Sequence, residues 1–470
     1  MKRLFRRLAL GTVGLALVLG IALVGLVGPV DFRPFEGSPY HRETRGRLES
    51  LRHNQRVADG ALRAGFGRAR LTPTLGVAAD RPEAGEFRSL PLAGFGNRHG
   101  APATGVHDEL WIKSMALEVD GLRMVVLAAD SLIVPREIAE AVMRDLSGSE
   151  GLTRGQVHFG ATHTHSSLGA WGEGLVSEQF AGPFQPAVRT WFTGQLVAAA
   201  RAALRDLRPA SVASGAFNAP EFIRNRLVGE KGSVDPEFVL LAIRQEGGAQ
   251  GVLGTFGAHA TVLGSGMMQF SADYPGAWQR NVEAGGIQNA LFIAGGVGSH
   301  GPNAGAPSFD GTERMGLRLG DKTRDALARL AYTNRVRLTT LALPVTLPEL
   351  NPRVSDGLRL RPFAAASLLP VTGETVLSGF RVGNAVWITT PCDFSGEMAR
   401  PIKDELQARG FQAAVTSFNG DYIGYVVPAK YYHLDTYETR TMSFFGPEVP
   451  DYFDRLIREL GGLLTASPSR

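Results

Sequence analysis

The residues best suited to chemistry in this chain are two histidines, in the run Gly160-Ala161-Thr162-His163-Thr164-His165-Ser166. The run follows a short apolar stretch, Val157-His158-Phe159. If that stretch is a strand, residues two apart point the same way, so both imidazoles share one face. Such a pair can reach a single metal ion, or one ring can bind it while the other serves a substrate. The same two rings are equally readable as histidines hydrogen-bonded in a loop. Only ten histidines occur in 470 residues, so the pairing asks for an explanation.

Other segments carry chemistry-bearing residues. His259 sits in Gly257-Ala258-His259-Ala260-Thr261, ahead of Ser271-Ala272-Asp273, and is a ligand candidate that alone is as readily structural. The run from Gly295 to Asn303 has the look of a nucleophile turn around Ser299. A Gly-x-Ser-x-Gly elbow needs glycine where Val297 stands, so a backbone-lined pocket wall is the better reading. Asp393, in Pro391-Cys392-Asp393-Phe394, joins an apolar run to a helical pattern and can be a helix cap as well as a ligand. Tyr425 closes Asn419-Gly420-Asp421-Tyr422-Ile423-Gly424-Tyr425, and Tyr431, Tyr432 and Tyr437 follow. Clustered tyrosines are more often packing residues than catalysts.

These residues need a scaffold, and the pattern predicts one. Apolar runs at 124–129, 156–161, 238–243, 252–256, 290–294 and 385–390 end in Gly, Asp or His and read as strands. Helical patterns lie at 186–207, 313–330, 397–409 and 451–464. The mixture predicts an α/β (mixed α+β) fold, with sheets flanked by helices. The 58 glycines imply shaped loops at the strand ends.

Composition describes a folded globular body, 44% hydrophobic and 20% charged. The net charge of +4 comes from Lys2, Arg3, Arg6 and Arg7; without them, basic and acidic residues balance at 45 each. A neutral body offers no nucleic-acid surface. Residues 8–30 carry no charge, and a bilayer span takes ~20 such residues. The exit lacks an Ala-x-Ala cleavage pattern, which favours an uncleaved anchor over a removed signal. The basic flank places the N-terminus in the cytoplasm and the body on the outer, periplasmic side of an inner membrane; secretion is the alternative. The expected organisation is an anchor or signal over 1–30, a polar irregular linker over 31–60 and a catalytic body over 61–470. Cys392 is the lone cysteine, so no intrachain disulfide forms.

Taken together, the segments resemble the catalytic domain of neutral ceramidases, zinc amidases that cleave N-acylsphingosine. The resemblance runs in order over 65–447. It includes Leu92-Ala93-Gly94-Phe95-Gly96, Gly105-Val106-His107-Asp108-Glu109-Leu110, the Thr-His-Thr-His-Ser run, Asn225-Arg226 and Ala258-His259. It continues through Pro391-Cys392-Asp393-Phe394, Gly424-Tyr425-Val426, Tyr437-Glu438 and Phe445-Gly446-Pro447. The resemblance implies one Zn2+ ion held by His163, His259, Asp393 and Tyr425. It also implies substrate-facing or catalytic roles for His165, Arg226 and Tyr437. Asp393 is a departure, since the family has the longer glutamate. The family's serine falls on Gly301, with Ser299 nearby as a possible substitute. The implied domain lacks the β-sandwich that follows it in many relatives.

The implied activity is hydrolysis of the N-acyl bond of ceramide-like lipids, with the membrane as a partner. The alternatives are a zinc hydrolase of another N-acyl or ester substrate, or an inactive envelope relative. Gly301 favours the inactive reading, and retention of every ligand type opposes it.

Overall fold

The computed structural model describes residues 25–369 and 371–466, together with positions 5 and 20. Twelve strands form its central, branched sheet. In chain order they are β1 (Arg56–Arg70), β2 (Trp111–Val119), β3 (Leu122–Ala129), β4 (Val157–Ala161), β5 (Arg208–Asn218) and β6 (Glu237–Gln245). Then come β7 (Gln250–Phe256), β8 (Asn289–Ala294), β9 (Arg335–Thr346), β10 (Glu374–Val382), β11 (Ala385–Thr389) and β12 (Gln412–Thr416).

β1 is the branch point. Its first residues pair with β9, its later ones with β2, and Arg63 and Ala64 also meet the start of β5. One arm runs β1-β2-β3-β4, a second β5-β6-β7-β8, and a third β9-β10-β11-β12. The arms pack face to face through an apolar cluster that includes Leu62, Met115, Val126, Leu241, Ile293, Leu338 and Trp387. Gly160 of β4 shows how tightly. A Cβ there would lie 2.6 Å from the Ile293 side chain of β8, so only glycine fits between the layers.

Helices cover the outer faces: α1 (Pro39–Asn54), α2 (Arg136–Glu150), α3 (Pro186–Arg205), α4 (Asp273–Ala284), α5 (Phe309–Leu327), α6 (Gly396–Ala408) and α7 (Val449–Thr465). α2 and α3 lie on the first arm, α4 and α5 on the second, and α1, α6 and α7 on the third. The predicted α/β (mixed α+β) class is therefore the observed one.

Two expectations need correction. Residues 31–60 are not irregular: Ser38 caps α1 by accepting from the His41 amide, and Thr44 and Leu48 are buried. The helix is polar on most sides because only a narrow stripe packs on β9, which hides its periodicity. The predicted anchor lies mostly outside the described residues. Its last part belongs to the body, since Val27–Pro29 forms a strand paired with Leu358–Leu360. Among the described residues no helix is long and apolar enough to cross a membrane.

Candidate metal centre and its cavity

The central residues all lie just past C-terminal ends of strands that pair in parallel. His163 follows β4, His259 follows β7, Asp393 follows β11 and Phe418 follows β12. The parallel pairs are β3–β4, β7–β8 and β11–β12. Strand ends of this kind open a crevice where connections diverge.

The two neighbouring histidines converge, though not by strand alternation. β4 stops at Ala161, and His163 turns the chain with a φ of 61°. The strain is held by a hydrogen bond from the His163 amide to the Ser131 carbonyl and by the Phe418 ring, stacked at 4.1 Å. The rings of His163 and His165 end perpendicular, with centroids 5.0 Å apart. His259 completes a triangle of Nε2 atoms, 2.9 Å from His163 and 3.1 Å from His165, with 3.4 Å on the third side. Ser271 to Tyr274 brace the His259 loop: Asp273 accepts from the Leu263 amide and the Tyr274 hydroxyl donates to the Ala258 carbonyl.

The protonation state of this triangle decides what it can do. Nδ1 of His163 lies 2.7 Å from the Leu132 carbonyl, so it carries the proton and leaves Nε2 bare. Nδ1 of His259 faces the Val297 carbonyl in the same sense, at 3.5 Å. Burial pushes His163 down to about 3 and holds His165 and His259 well below the usual histidine range. The bare Nε2 atoms of His163 and His259, 2.9 Å apart, repel unless a cation lies between them. Tetrahedral nitrogen ligands at 2.0–2.1 Å from zinc stand about 3.3 Å apart, close to the spacings here. The three histidines can hold a metal ion.

Asp393 faces the same point. Its Oδ1 is buried without a hydrogen-bond partner, 3.4 Å from His163 Nε2. Its Oδ2 accepts from the Tyr422 hydroxyl at 2.8 Å. Burial pushes the carboxyl up to about 7, against the Tyr422 hydrogen bond and the Arg226 charge. Asp393 does not cap α6; Ser395 does, accepting from the Glu397 amide. Tyr425 pairs with Asp393 in a short parallel bridge, which brings its ring beside the carboxylate. Its hydroxyl accepts from Arg226 Nη2 at 2.9 Å, and Arg226 Nε lies 3.0 Å from Glu438 Oε1. Tyr437 packs edge-on against Tyr425, with ring centroids 5.5 Å apart.

A cavity opens over this group. His163, His165, Asp393, Tyr422, Tyr425 and Tyr437 form its polar floor and side. Leu132, Ile133, Trp171, Val176, Phe180 and Phe444 form apolar walls. No family model matches the chain, and no curated protein sequence does. Solved structures do: a ceramidase complexed with C2 aligns with a TM-score of 0.71 at 18% identity, covering 86% of this chain and 75% of that one. The neutral ceramidase from Pseudomonas aeruginosa also aligns with a TM-score of 0.71, at 19% identity, covering 88% of this chain and 76% of that one. This chain has the neutral ceramidase fold.

Within the neutral ceramidase fold, the chain gathers His163, His165, His259, Asp393, Tyr425, Tyr437 and Arg226 at one end of the sheet. Ser299 is not brought to the cavity. It is fully buried, and its hydroxyl pairs with Ser395 at 2.7 Å. The glycine run beside it is not the cavity wall either. A Cβ at Gly298 would lie 2.3 Å from the Asp393 carbonyl oxygen, so the run packs behind the Asp393 segment and supports it. A Cβ at Gly301 would lie 3.6 Å from the Arg226 side chain. Tyr422 and Glu438, which hold Asp393 and Arg226, had no assigned role in the sequence. Their signal was adjacency to Tyr425 and Tyr437.

Proposed function

We propose that this protein is a zinc-dependent amide hydrolase that splits the N-acyl bond of ceramide-like lipids into fatty acid and sphingoid base. The observation that carries the reading is the convergence of three imidazole nitrogens and the partnerless Oδ1 of Asp393 on one point below an apolar cavity. In this reading His163, His259, Asp393 and Tyr425 hold one Zn2+, and His165 faces the substrate. A bound zinc ion lowers the pKa of water from 15.7 to about 7 and polarises a carbonyl.

The chain's own residues supply the rest. Asp393 is placed to accept a proton from the attacking water and return it to the departing amine. His165 and Tyr437 donate toward the oxygen that gains charge, where one such donor is worth ~3 kcal/mol of barrier. Arg226, fixed between Glu438 and Tyr425, orients a hydroxyl or carbonyl of the lipid. Leu132, Ile133, Trp171 and Phe180 shelter acyl carbons from water. The two aligned ceramidases support the substrate class. The N-terminal apolar run tethers the body to the outer side of an inner membrane, where such lipids lie.

The test is fatty-acid release from detergent-dispersed N-acylsphingosine by the full chain, with and without a zinc chelator. Chelator-sensitive release is expected. A protein that holds zinc but releases nothing overturns the substrate; one that holds no metal overturns the mechanism. His163→Ala and His259→Ala lose zinc and activity together. His165→Ala keeps zinc and loses turnover, and a metal-free His165→Ala would make this residue a ligand.

A further inference from the structure

Exposed large apolar side chains gather on one part of this protein. Leu26, Phe32, Leu358, Phe363, Leu368 and Leu434 are all exposed, Phe363 to 64%. Their segments are joined to one another. Val27–Pro29 pairs with Leu358–Leu360, and Arg361 Nε donates to the Val27 carbonyl at 3.0 Å. Arg440 donates to the Val354 carbonyl at 2.7 Å, and Arg353 to that of Leu434. Phe32 meets the Tyr432 ring edge-on at 5.8 Å. These contacts tie the segments that carry them into one part of the surface.

The face borders the cavity. Tyr437, three residues past Leu434, is both exposed and part of the cavity lining. Val371, three past Leu368, lines the same cavity. Leu175 stands 73% exposed beside Val176, another lining residue.

We propose that this face docks on a lipid bilayer with the cavity mouth turned toward the membrane, so that a lipid amide enters without crossing water. The occupant is argued from the chain itself. The charge-free run 8–30, preceded by Lys2, Arg3, Arg6 and Arg7, leads directly into Leu26 and Val27 on this face. A body tethered there has already lost most of its freedom relative to the membrane, so weak added contacts suffice to orient it. Exposed apolar side chains gathered on linked segments beside a cavity mark an interaction site. The docking surface rests on the lipid-amide reading only for what enters the cavity.

The full chain is reconstituted in phosphatidylcholine–phosphatidylglycerol vesicles with an environment-sensitive dye at Phe363→Cys. Cys392, the lone native cysteine, is buried and leaves the label specific. A comparison label goes at Glu246→Cys, in the turn that joins β6 to β7 at the sheet end away from His259. Lipid-borne nitroxide is expected to quench the first dye and spare the second. No quenching at 363, or equal quenching at both positions, overturns the proposal. So does dye–dye proximity at 363 that rises with protein density, which would make the face an interface between copies. In the second arm, Leu358→Asp with Phe363→Asp lowers hydrolysis of vesicle-borne N-acylsphingosine about tenfold and changes detergent-dispersed hydrolysis less than about twofold. An undiminished vesicle rate overturns the proposal. The quenching arm needs no turnover, so failure of the amidase reading leaves docking separately readable.

Discussion

At the scale of single residues, the shorter Asp393 side chain raises a question that Tyr422 answers. A carboxylate can offer a metal one oxygen or two, and here the Tyr422 hydroxyl occupies Oδ2 and leaves Oδ1 aimed at the histidines. Partners of this sort fix a ligand's direction, and removing them typically costs ~10–100-fold in metal affinity. Tyr422→Phe keeps the ring and is expected to weaken zinc binding by that order, read by competition with a fluorescent chelator. Unchanged affinity would show that Asp393 is aimed by its backbone alone. Glu438→Gln is a companion case. It removes the charge opposite Arg226 and is expected to raise KM more than it lowers kcat, measured with a soluble short-chain amide. The histidines were legible because each stands beside an apolar run and a glycine-containing turn at a strand end; Asp393 and Tyr425 entered the ligand set only through the family resemblance. Tyr422 and Glu438 were not, because their work depends on third residues distant in sequence. Ser299 misled for the opposite reason: its neighbours had the look of a nucleophile turn, and its Ser395 partner lies 96 positions away.

At the scale of elements, legibility followed burial. Strands covered on both faces, such as β3, β6 and β8, read as unbroken apolar runs and stood out. β1 did not, because arginines and glycines interrupt it. Its glycines are the mark of α3 lying unusually close. A Cβ at Gly65 would stand 2.2 Å from the Ala203 carbonyl oxygen, and one at Gly67 2.3 Å from that of Ala199. Gly67→Ala is therefore expected to push α3 off the sheet and cost about 1–3 kcal/mol, seen as a lower denaturation midpoint. A neutral result would mean the helix shifts freely, which its buried Phe192, Leu196 and Ala200 argue against. The helix α1, hidden in a polar sequence, makes the complementary case. Leu48 is fully buried, so Leu48→Ala is expected to cost about 2–5 kcal/mol, as a loop residue would not.

At the scale of the whole molecule, the candidate centre is assembled from all three arms: His163 from the first, His259 from the second, Asp393 from the third. No sequence window spans that assembly, which is why the pairing of motifs was legible only as an ordered set. The arms must then be held in register, and a buried ionic group does part of this. Lys403 of α6, on the third arm, lies 2.8 Å from Asp235 Oδ2 and 2.8 Å from Glu237 Oε2, at the head of the second. Burial works against the charged amine, yet Asp235 and Glu237 more than offset it and raise its pKa above the usual 10.5. A raised lysine pKa contributes stability that is fully present below 10.5 and fades as pH climbs through the folded value. Removing one partner strands the other charges in the interior, at a cost of about 3–5 kcal/mol. Lys403→Met is thus expected to lower the denaturation midpoint strongly at pH 8. The gap to the parent should hold steady up to about pH 10 and narrow beyond it, where the parent loses its own proton. A gap that stays constant through that range would mean the lysine acts by packing its stem, and the register of the arms would then rest on the apolar cluster between them.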